Sequence, residues 1–339
     1  MPIIQSISMF VQKVQIPFTA ASCIHRQKKF IRKNIDPQLA DAKKKNDGSL
    51  DENDLQKISG HYGLIVPGIL GEAFCALRGE RMTKKERLTI TSQAAMMVLF
   101  ENFYDKQILS EEGFKDLIEK PELFTGNTEA EKICLNFYNT ALVNAAEPKQ
   151  VQQQLYKFFY ALQLSKQQDG PGVSYEVIKD TAMRKGGELM MSYRMAFKHP
   201  FKHGEEKMLY SFGGLMQLSN DIFDVYEDHK NGVSTLVTTA MKTEELRFYY
   251  AALLQIAKEA AFRSGYPKKN IRKFLGIIFM GIFNKGYVCL DRLKKIEIRS
   301  GNIFDVKAYS RIDLCFDMNT WSNKLKSLRY YMKLSRRFR

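Results

Sequence analysis

The sequence has few of the features that mark disulfide scaffolds, zinc sites and membrane spans. Its five cysteines are scattered, with no CxxC pair and no histidines at metal-binding spacing. This pattern favours reduced thiols and a cytoplasmic location. No run reaches the roughly 18 consecutive apolar residues that cross a membrane. The first 23 residues lack a basic start, so we expect no secretory signal.

Nucleotide- and nucleic-acid-binding motifs are missing as well. The chain has no GKS or GKT phosphate loop, no zinc knuckle and no RNA- or DNA-reading signature. Its net charge of +15 nevertheless calls for a negative partner, which composition alone does not choose. Without a recognition motif we expect no nucleic acid; a phosphorylated substrate and an anionic membrane surface are the other negative partners.

Alternating β patterns are almost absent, whereas apolar residues recur at helical spacing along most of the chain. The spacing predicts a long, largely buried helix over 84–106, after breaks near Pro67-Gly68 and Arg78-Gly79. Further helices are predicted at 111–119, 128–145, 149–166, 174–197, 204–229, 243–264 and 268–299, and in the C-terminal stretch.

The fold class predicted from this pattern is all-α, in a single domain. No linker and no repeat of 20–50 residues interrupts it. We expect an arm over residues 1–50, either flexible or ordered, followed by a helical domain over 51–339 with a basic C-terminal tail.

The segment from Met216 to Asp228 is dense in oxygen-bearing side chains within an apolar helical pattern. Asn220, Asp224 and Asp228 are each one turn apart, so they share a helix face over about 12 Å. Stacked carboxylates repel unless cations lie among them, and hard oxygen ligands suit Mg²⁺. The alternative is an acidic face that is simply solvated.

A second acidic pair, Glu101 and Asp105, lies one turn apart near the end of the predicted 84–106 helix. Alone, this pair is weak evidence of a site. Its weight comes from the first segment, because two oxygen-rich helices can face each other across a bundle core and build a metal site.

With these two segments the chain resembles the class I isoprenoid synthases: polyprenyl synthases, squalene and phytoene synthases, and terpene cyclases. Met216-Gln217-x-x-Asn220-Asp221-x-x-Asp224 is similar to the second aspartate-rich motif, FQxxDDxxD. Asn220, Asp224 and Asp228 also resemble the cyclase triad of Asn, Ser or Thr, and Glu. Glu101 and Asp105 match the first and fifth positions of the DDxxD motif.

The resemblance implies an antiparallel helical bundle of the class I terpenoid synthase type, with Mg²⁺ as cofactor. It implies a cluster of three ions, for which Mn²⁺ is the alternative. The implied metal ligands are Glu101, Asp105, Asn220, Asp221, Asp224 and Asp228. Asp105, Asn220 and Asp224 are the implied catalytic residues.

The substrate implied by the resemblance is a prenyl diphosphate, which also needs basic partners and aromatic side chains that stabilise a carbocation. The diphosphate-binding candidates are Lys179, Arg184, Lys185, Arg194, Lys230, Arg329 and Tyr330. The aromatic candidates are Phe100, Tyr104 and Phe223, for each of which plain core packing is the alternative.

The chain lacks the GGKRxRP-like segment with which chain-elongating synthases hold a second substrate; Arg78-Gly79-Glu80-Arg81 lies in that region. We therefore expect a terpene synthase acting on one prenyl diphosphate of C15 to C35. A prenyltransferase condensing two diphosphates is the alternative enzyme. A non-catalytic basic protein that binds lipid or nucleic acid is the alternative from another class.

The run from Lys324 to Arg339 contains seven basic residues and no acid. This basic run predicts a second partner besides the substrate, namely an anionic membrane that the protein binds peripherally. Neither the oligomeric state nor the product skeleton follows from the sequence.

Overall fold

The computed structural model describes the backbone of residues 2–335 and the side chains of residues 15–335. Helices contain 76% of the residues, and the described residues contain no strand. An isolated antiparallel bridge between Asp169 and Val233 is the exception to helix and loop. The all-α prediction is confirmed.

The helices follow one another with short connections. Those before residue 170 are α1 (Pro2–Asn34), α2 (Asp36–Lys45), α3 (Glu52–Gln56), α4 (Gly63–Ile65), α5 (Glu72–Arg78), α6 (Lys84–Asp105), α7 (Glu111–Glu119), α8 (Glu129–Asn144) and α9 (Pro148–Ser165). Those after it are α10 (Tyr175–Arg194), α11 (Glu205–Phe223), α12 (Val225–Lys230), α13 (Thr243–Arg263), α14 (Lys268–Ile278), α15 (Asn284–Arg299), α16 (Arg311–Leu314) and α17 (Trp321–Leu334). Three π-helical turns, Lys57–Tyr62, Val66–Gly71 and Phe279–Phe283, connect neighbouring α-helical segments.

Local sequence explains several helix ends. Thr83 caps α6, where its side chain accepts from the backbone N–H of Glu86 and Glu86 accepts from that of Thr83. Ser110 caps α7 through the N–H of Gly113. Gly79 ends α5 at φ 81°, a left-handed conformation that favours glycine. The predicted break at Arg78-Gly79 is therefore confirmed.

Two predicted boundaries were wrong. Pro67 does not break the chain's helical path, which runs from Glu52 to Arg78. Pro67 cannot donate a backbone hydrogen bond, and the path is locally π-helical over Val66–Gly71, which is the kind of irregularity by which a helix continues past a proline. The helix predicted over 204–229 is instead divided at Asp224, whose φ of −95° and ψ of 11° are not helical.

The described residues form two compact units. The N-terminal unit comprises residues 14–162 and 192–200, and the C-terminal unit comprises residues 163–191 and 201–335 with residues 2–13. The prediction of an arm before residue 50 stays a prediction, although Cys23, Ile31 and Leu39 within it are buried.

In the N-terminal unit, α6 packs against α8, and α2 also packs against α8. The buried polar side chain of Gln27 has partners for its amide. It donates to the carbonyl of Gly63 at 2.8 Å and to Thr91 Oγ1 at 3.1 Å, and it accepts from Arg87 at 2.9 Å. These bonds attach α1 to α6, because a buried amide is costly unless it is hydrogen-bonded.

In the C-terminal unit, α11 packs against α13 and α15, and α15 packs against α17. The phenol of the fully buried Tyr250 donates to the carbonyl of Phe283 at 2.8 Å and lies 3.0 Å from Ser219 Oγ. Phe212 stacks on Phe283 with ring centroids 5.8 Å apart. These contacts position α11, which carries the acidic segment.

Two helical stretches, Glu52–Arg78 and Lys268–Arg299, are long and apolar enough to span a membrane by length and composition. In their most apolar windows, 67% and 72% of the residues are buried inside the protein. Core helices have the same character, so these stretches carry no conclusion about location.

Candidate functional site

Helices α10 and α11 of the C-terminal unit cross at two glycines, Gly186 and Gly213, which have no side chains. A Cβ atom on Gly186 would lie 2.1 Å from the carbonyl oxygen of Gly213, and one on Gly213 would lie 2.3 Å from that of Gly186. Two helix backbones approach this closely only through glycine. The crossing brings Lys185, next to Gly186, into the electrostatic field of Asp221.

Asp221 is buried, with 4% of its surface exposed. Its Oδ1 accepts a hydrogen bond of 2.8 Å from Gln217 Nε2. Burial raises the pKa of Asp221 to about 7, against the opposing effects of the Gln217 hydrogen bond and the Lys185 charge, and the nearby Asp224 carboxylate raises it further. This carboxyl therefore changes charge near neutral pH.

Asn220 and Asp224, in contrast, are exposed. Asn220 Nδ2 donates to Asp224 Oδ2 at 2.9 Å. The backbone N–H of Asp224 donates to the carbonyl of Asn220, and that of Asp228 to the carbonyl of Asp224, each at 2.9 Å. These two bonds lie on either side of the bend at Asp224, and Asn220, Asp224 and Asp228 start from successive turns.

The loop after α12 is attached to the loop before α10. The N–H of Gly170 donates to the carbonyl of Gly232 at 3.1 Å, and that of Ser234 donates to the carbonyl of Gln168 at 2.8 Å. The Gln168 side chain donates back to the carbonyl of Ser234 at 3.0 Å. Together with the glycine crossing, this attachment fixes α10 relative to the acidic segment.

The other acidic pair lies at the end of α6, in the N-terminal unit. Glu101 is half-buried and Asp105 is exposed. Between them, Asn102 Nδ2 donates to the buried Asp54 at 2.5 Å. Burial, and then the charge of Glu101, raise the pKa of Tyr193 well above its usual value. Its hydroxyl has no hydrogen-bond partner among the described residues.

Asp54 and Tyr193 were not predicted as neighbours of this acidic pair. Neither belongs to a local motif, and both come from segments far from α6 along the chain. The two acidic segments belong to different compact units. That they bind one ion cluster stays a prediction.

Most of the predicted diphosphate ligands have partners of their own. Lys179 lies 3.4 Å from Glu176, and Arg184 lies 3.6 Å from Asp180, in exposed pairs along α10. Lys230 and Arg329 are exposed.

Arg194 is buried at the C-terminal end of α10. Its guanidinium donates to the carbonyls of Phe197 and His199, each at 3.2 Å. Both carbonyls belong to the segment that follows α10, so these bonds attach that segment to the end of the helix. The Arg194 guanidinium therefore already has two backbone partners, and its predicted role in binding diphosphate stays a prediction.

Tyr330 attaches α17 to the rest of the C-terminal unit. Its hydroxyl donates to Asp291, whose two carboxylate oxygens are both 2.8 Å away, and Arg247 Nη2 lies 2.5 Å from Asp291 Oδ1. The Tyr330 ring stacks on Tyr287 with centroids 5.2 Å apart. Arg247 and Asp291 lack a sequence signal beyond opposite charge.

The predicted aromatic residues all pack against other rings. Phe100 is buried, with its centroid 4.9 Å from that of Phe114, and Tyr104 lies 6.0 Å from the same ring. Phe223 makes an edge contact with Phe316 at 6.2 Å. The burial of Phe100 among other rings favours the alternative that it packs in the core.

The donor chemistry of the acidic segment fits Mg²⁺. Among the described residues, no group of three or more His, Cys, Asp or Glu side chains is arranged as a complete metal site. Asn220, Asp224 and Asp228 nevertheless offer hard oxygen atoms from successive turns. Mg²⁺ commonly takes only one or two carboxylates and completes its shell with water and phosphate.

Comparisons of the chain with models of protein families, with curated proteins and with solved structures find no match. The function of the site is therefore inferred from its own residues.

Proposed function

We propose that the protein is a Mg²⁺-dependent class I terpene synthase, which ionises one prenyl diphosphate of C15 to C35 and releases diphosphate and a terpene. The observation that carries the proposal is the Asn220–Asp224 pair, joined by a 2.9 Å hydrogen bond, with Asp228 one turn further. The all-helical fold is consistent with a bundle of the class I terpenoid synthase type.

In this proposal Asn220, Asp224 and Asp228 would hold Mg²⁺, which would supply positive charge beside the leaving diphosphate. Lys185 adds positive charge from the neighbouring helix. The carbon–oxygen bond breaks, the electron pair leaves with diphosphate, and the allylic cation either loses a proton to the released diphosphate or bonds to water, which then gives a proton to it. Glu101, Asp105 and Asp221 remain predicted ligands.

The proposal is tested by turnover. Purified protein with Mg²⁺ is given farnesyl, geranylgeranyl and longer prenyl diphosphates singly, and diphosphate release and extractable products are measured. We expect hydrocarbon or alcohol from one diphosphate alone. Asp224→Ala is expected to lower kcat by at least about 100-fold, because it removes charge stabilisation of the transition state.

Glu206→Ala is the matched control, because Glu206 is an exposed carboxylate on the first turn of the same helix. It is expected to leave kcat unchanged. Equal loss in both variants would contradict a specific role for Asp224. A longer diphosphate formed only with isopentenyl diphosphate would identify a prenyltransferase instead, and no turnover with Mg²⁺ or Mn²⁺ would favour the binding protein.

A further inference from the structure

Helix α17 has one face that is packed within the C-terminal unit. Ser327, Tyr331 and Leu334 are buried, and the helix contacts α15. The hydroxyl of Tyr330 adds its bonds to Asp291. These contacts fix the orientation of α17 on the C-terminal unit. They therefore also fix which residues of α17 point away from the unit.

A second apolar face of α17 is exposed. Trp321 is 81% exposed, Leu325 64% and Leu328 37%. These residues are separated by four and three positions, so they lie on one side of the helix, roughly a third of a turn from the packed face. Large exposed apolar residues grouped in a stripe mark an interaction site, whereas isolated ones do not.

Basic residues flank this apolar stripe on both sides. Lys324 lies on one side, with its ammonium 5.7 Å from the centroid of the Trp321 ring. Arg329 and Lys333 lie on the other side, by their helical positions. No acidic residue occurs from Trp321 to the end of the sequence, which adds Arg336, Arg337 and Arg339 outside the described residues.

Helix α13 provides a comparison within the same unit. It also exposes large apolar residues, Phe248 at 77% and Ile256 at 52%. Acidic residues accompany them, with Glu245 and Glu259 on the same helix. An anionic partner is therefore favoured by α17 and disfavoured by α13.

Charge and chemistry together select the partner. A second copy of α17 would bring two strongly basic surfaces together, which repel each other. Nucleic acid would satisfy the charge but would leave the leucine side chains without an apolar environment. An anionic bilayer satisfies both, since tryptophan and leucine enter the interface while lysine and arginine reach the headgroups.

We infer that the Trp321–Leu325–Leu328 face of α17, with Lys324 and Arg329, is a docking surface for an anionic phospholipid bilayer. The helix lies along the membrane surface and does not cross it. This inference is independent of the proposed enzymatic reaction.

Trp321 is the single tryptophan of the chain, so its fluorescence reports on this surface directly. The intact protein is mixed with phosphatidylcholine vesicles that contain or lack phosphatidylglycerol. With phosphatidylglycerol we expect a blue shift of the emission and co-sedimentation of the protein, both weakened by high salt. With phosphatidylcholine alone we expect neither.

Charge reversal tests the basic flanks. Lys324→Glu with Arg329→Glu is expected to weaken vesicle binding by at least about tenfold, since each basic residue near an anionic surface contributes to binding. Lys44→Glu with Lys149→Glu is the matched control, because it changes the net charge equally at two exposed lysines elsewhere. The control pair is expected to bind almost as the unmodified protein does.

Leu325→Ser with Leu328→Ser tests the apolar stripe, and its expected result is binding with a smaller blue shift and lower affinity. The inference is overturned by an unchanged emission with anionic vesicles, or by equal losses in the two charge-reversal pairs. Binding to a DNA duplex in place of vesicles, with the emission unchanged, also overturns it.

Discussion

Asp221 and its neighbour Asn220 differ in environment although they are adjacent in sequence. Asn220 is exposed beside Asp224, whereas Asp221 is buried and bonded to Gln217. A helix turns by about 100° per residue, so adjacent side chains point in different directions. Within one motif, Asn220 is therefore accessible to solvent, whereas Asp221 needs a buried hydrogen-bond partner.

The raised pKa of Asp221 predicts how stability depends on pH. A carboxyl with a pKa of about 7 in the folded protein, against about 4 when unfolded, holds its proton more tightly in the folded state. Its contribution to the free energy of unfolding is full below about pH 4 and is lost as the pH rises through 7.

Asp221→Asn keeps an oxygen acceptor for Gln217 and carries no charge. Relative to the unmodified protein, its free energy of unfolding is expected to rise by about 2 kcal/mol between pH 5 and pH 8. Urea denaturation at both pH values, with EDTA present, measures this difference. A difference that does not change with pH would contradict the burial of a titrating carboxyl.

Other residue assignments depended on partners that a sequence does not reveal. Arg194 and Tyr330 were predicted to bind diphosphate from the family resemblance and from residue type. Arg194 in fact donates to two backbone carbonyls, and Tyr330 donates to Asp291. Their hydrogen-bond partners come from packing, so their predicted role in binding diphosphate stays a prediction.

At the scale of elements, the crossing of α10 and α11 depends on two glycine pairs. Besides the contact between Gly186 and Gly213, a Cβ on Gly187 would lie 2.4 Å from the Tyr210 ring, and one on Gly214 would lie 2.1 Å from the sulfur of Met183. At Gly213 the obstacle is backbone, which cannot move without separating the helices.

Gly213→Ala is expected to lower the free energy of unfolding by about 1–3 kcal/mol or more, because the added methyl overpacks the crossing. Urea denaturation measures the loss. Gly60→Ala is the control, since a Cβ there meets no atom of the described residues within 4 Å. Its expected effect is neutral or slightly stabilising. A Gly213 variant as stable as the control would show that the crossing is looser than described.

Helix positions were more predictable than helix irregularities. The predicted 111–119 helix coincides with α7, and the predicted 84–106 helix ends one residue from α6. Capping residues and periodic apolar positions are local signals. Pro67-Gly68 marked the position of the π-helical turn at Val66–Gly71 but predicted a break there, and the bend at Asp224 has no comparable signal, because packing decides how a helix deviates.

At the scale of the whole molecule, burial divides the cysteines into two classes. Cys23, Cys75, Cys134 and Cys289 are buried, and Cys315 is exposed. Burial raises the pKa of Cys75 and of Cys289 to about 12. A thiol reacts as its thiolate, so these buried cysteines are expected to react slowly.

Ellman's reagent is therefore expected to modify one thiol per chain rapidly in the folded protein, and all five in denaturant. Cys315→Ser is expected to abolish the rapid phase, whereas Cys75→Ala is expected to retain it. Rapid modification of more than one thiol in the folded protein would show that a buried cysteine is accessible.

The sequence by itself determined the all-helical class, most helix positions and the single turn that separates Asn220 from Asp224 and Asp224 from Asp228, because helix periodicity and capping are local properties. Only the tertiary structure decided that Asp221 is buried within the electrostatic influence of Lys185 and that α17 exposes an apolar stripe. These features depend on glycine contacts and on side chains from distant segments, which meet only when the chain packs.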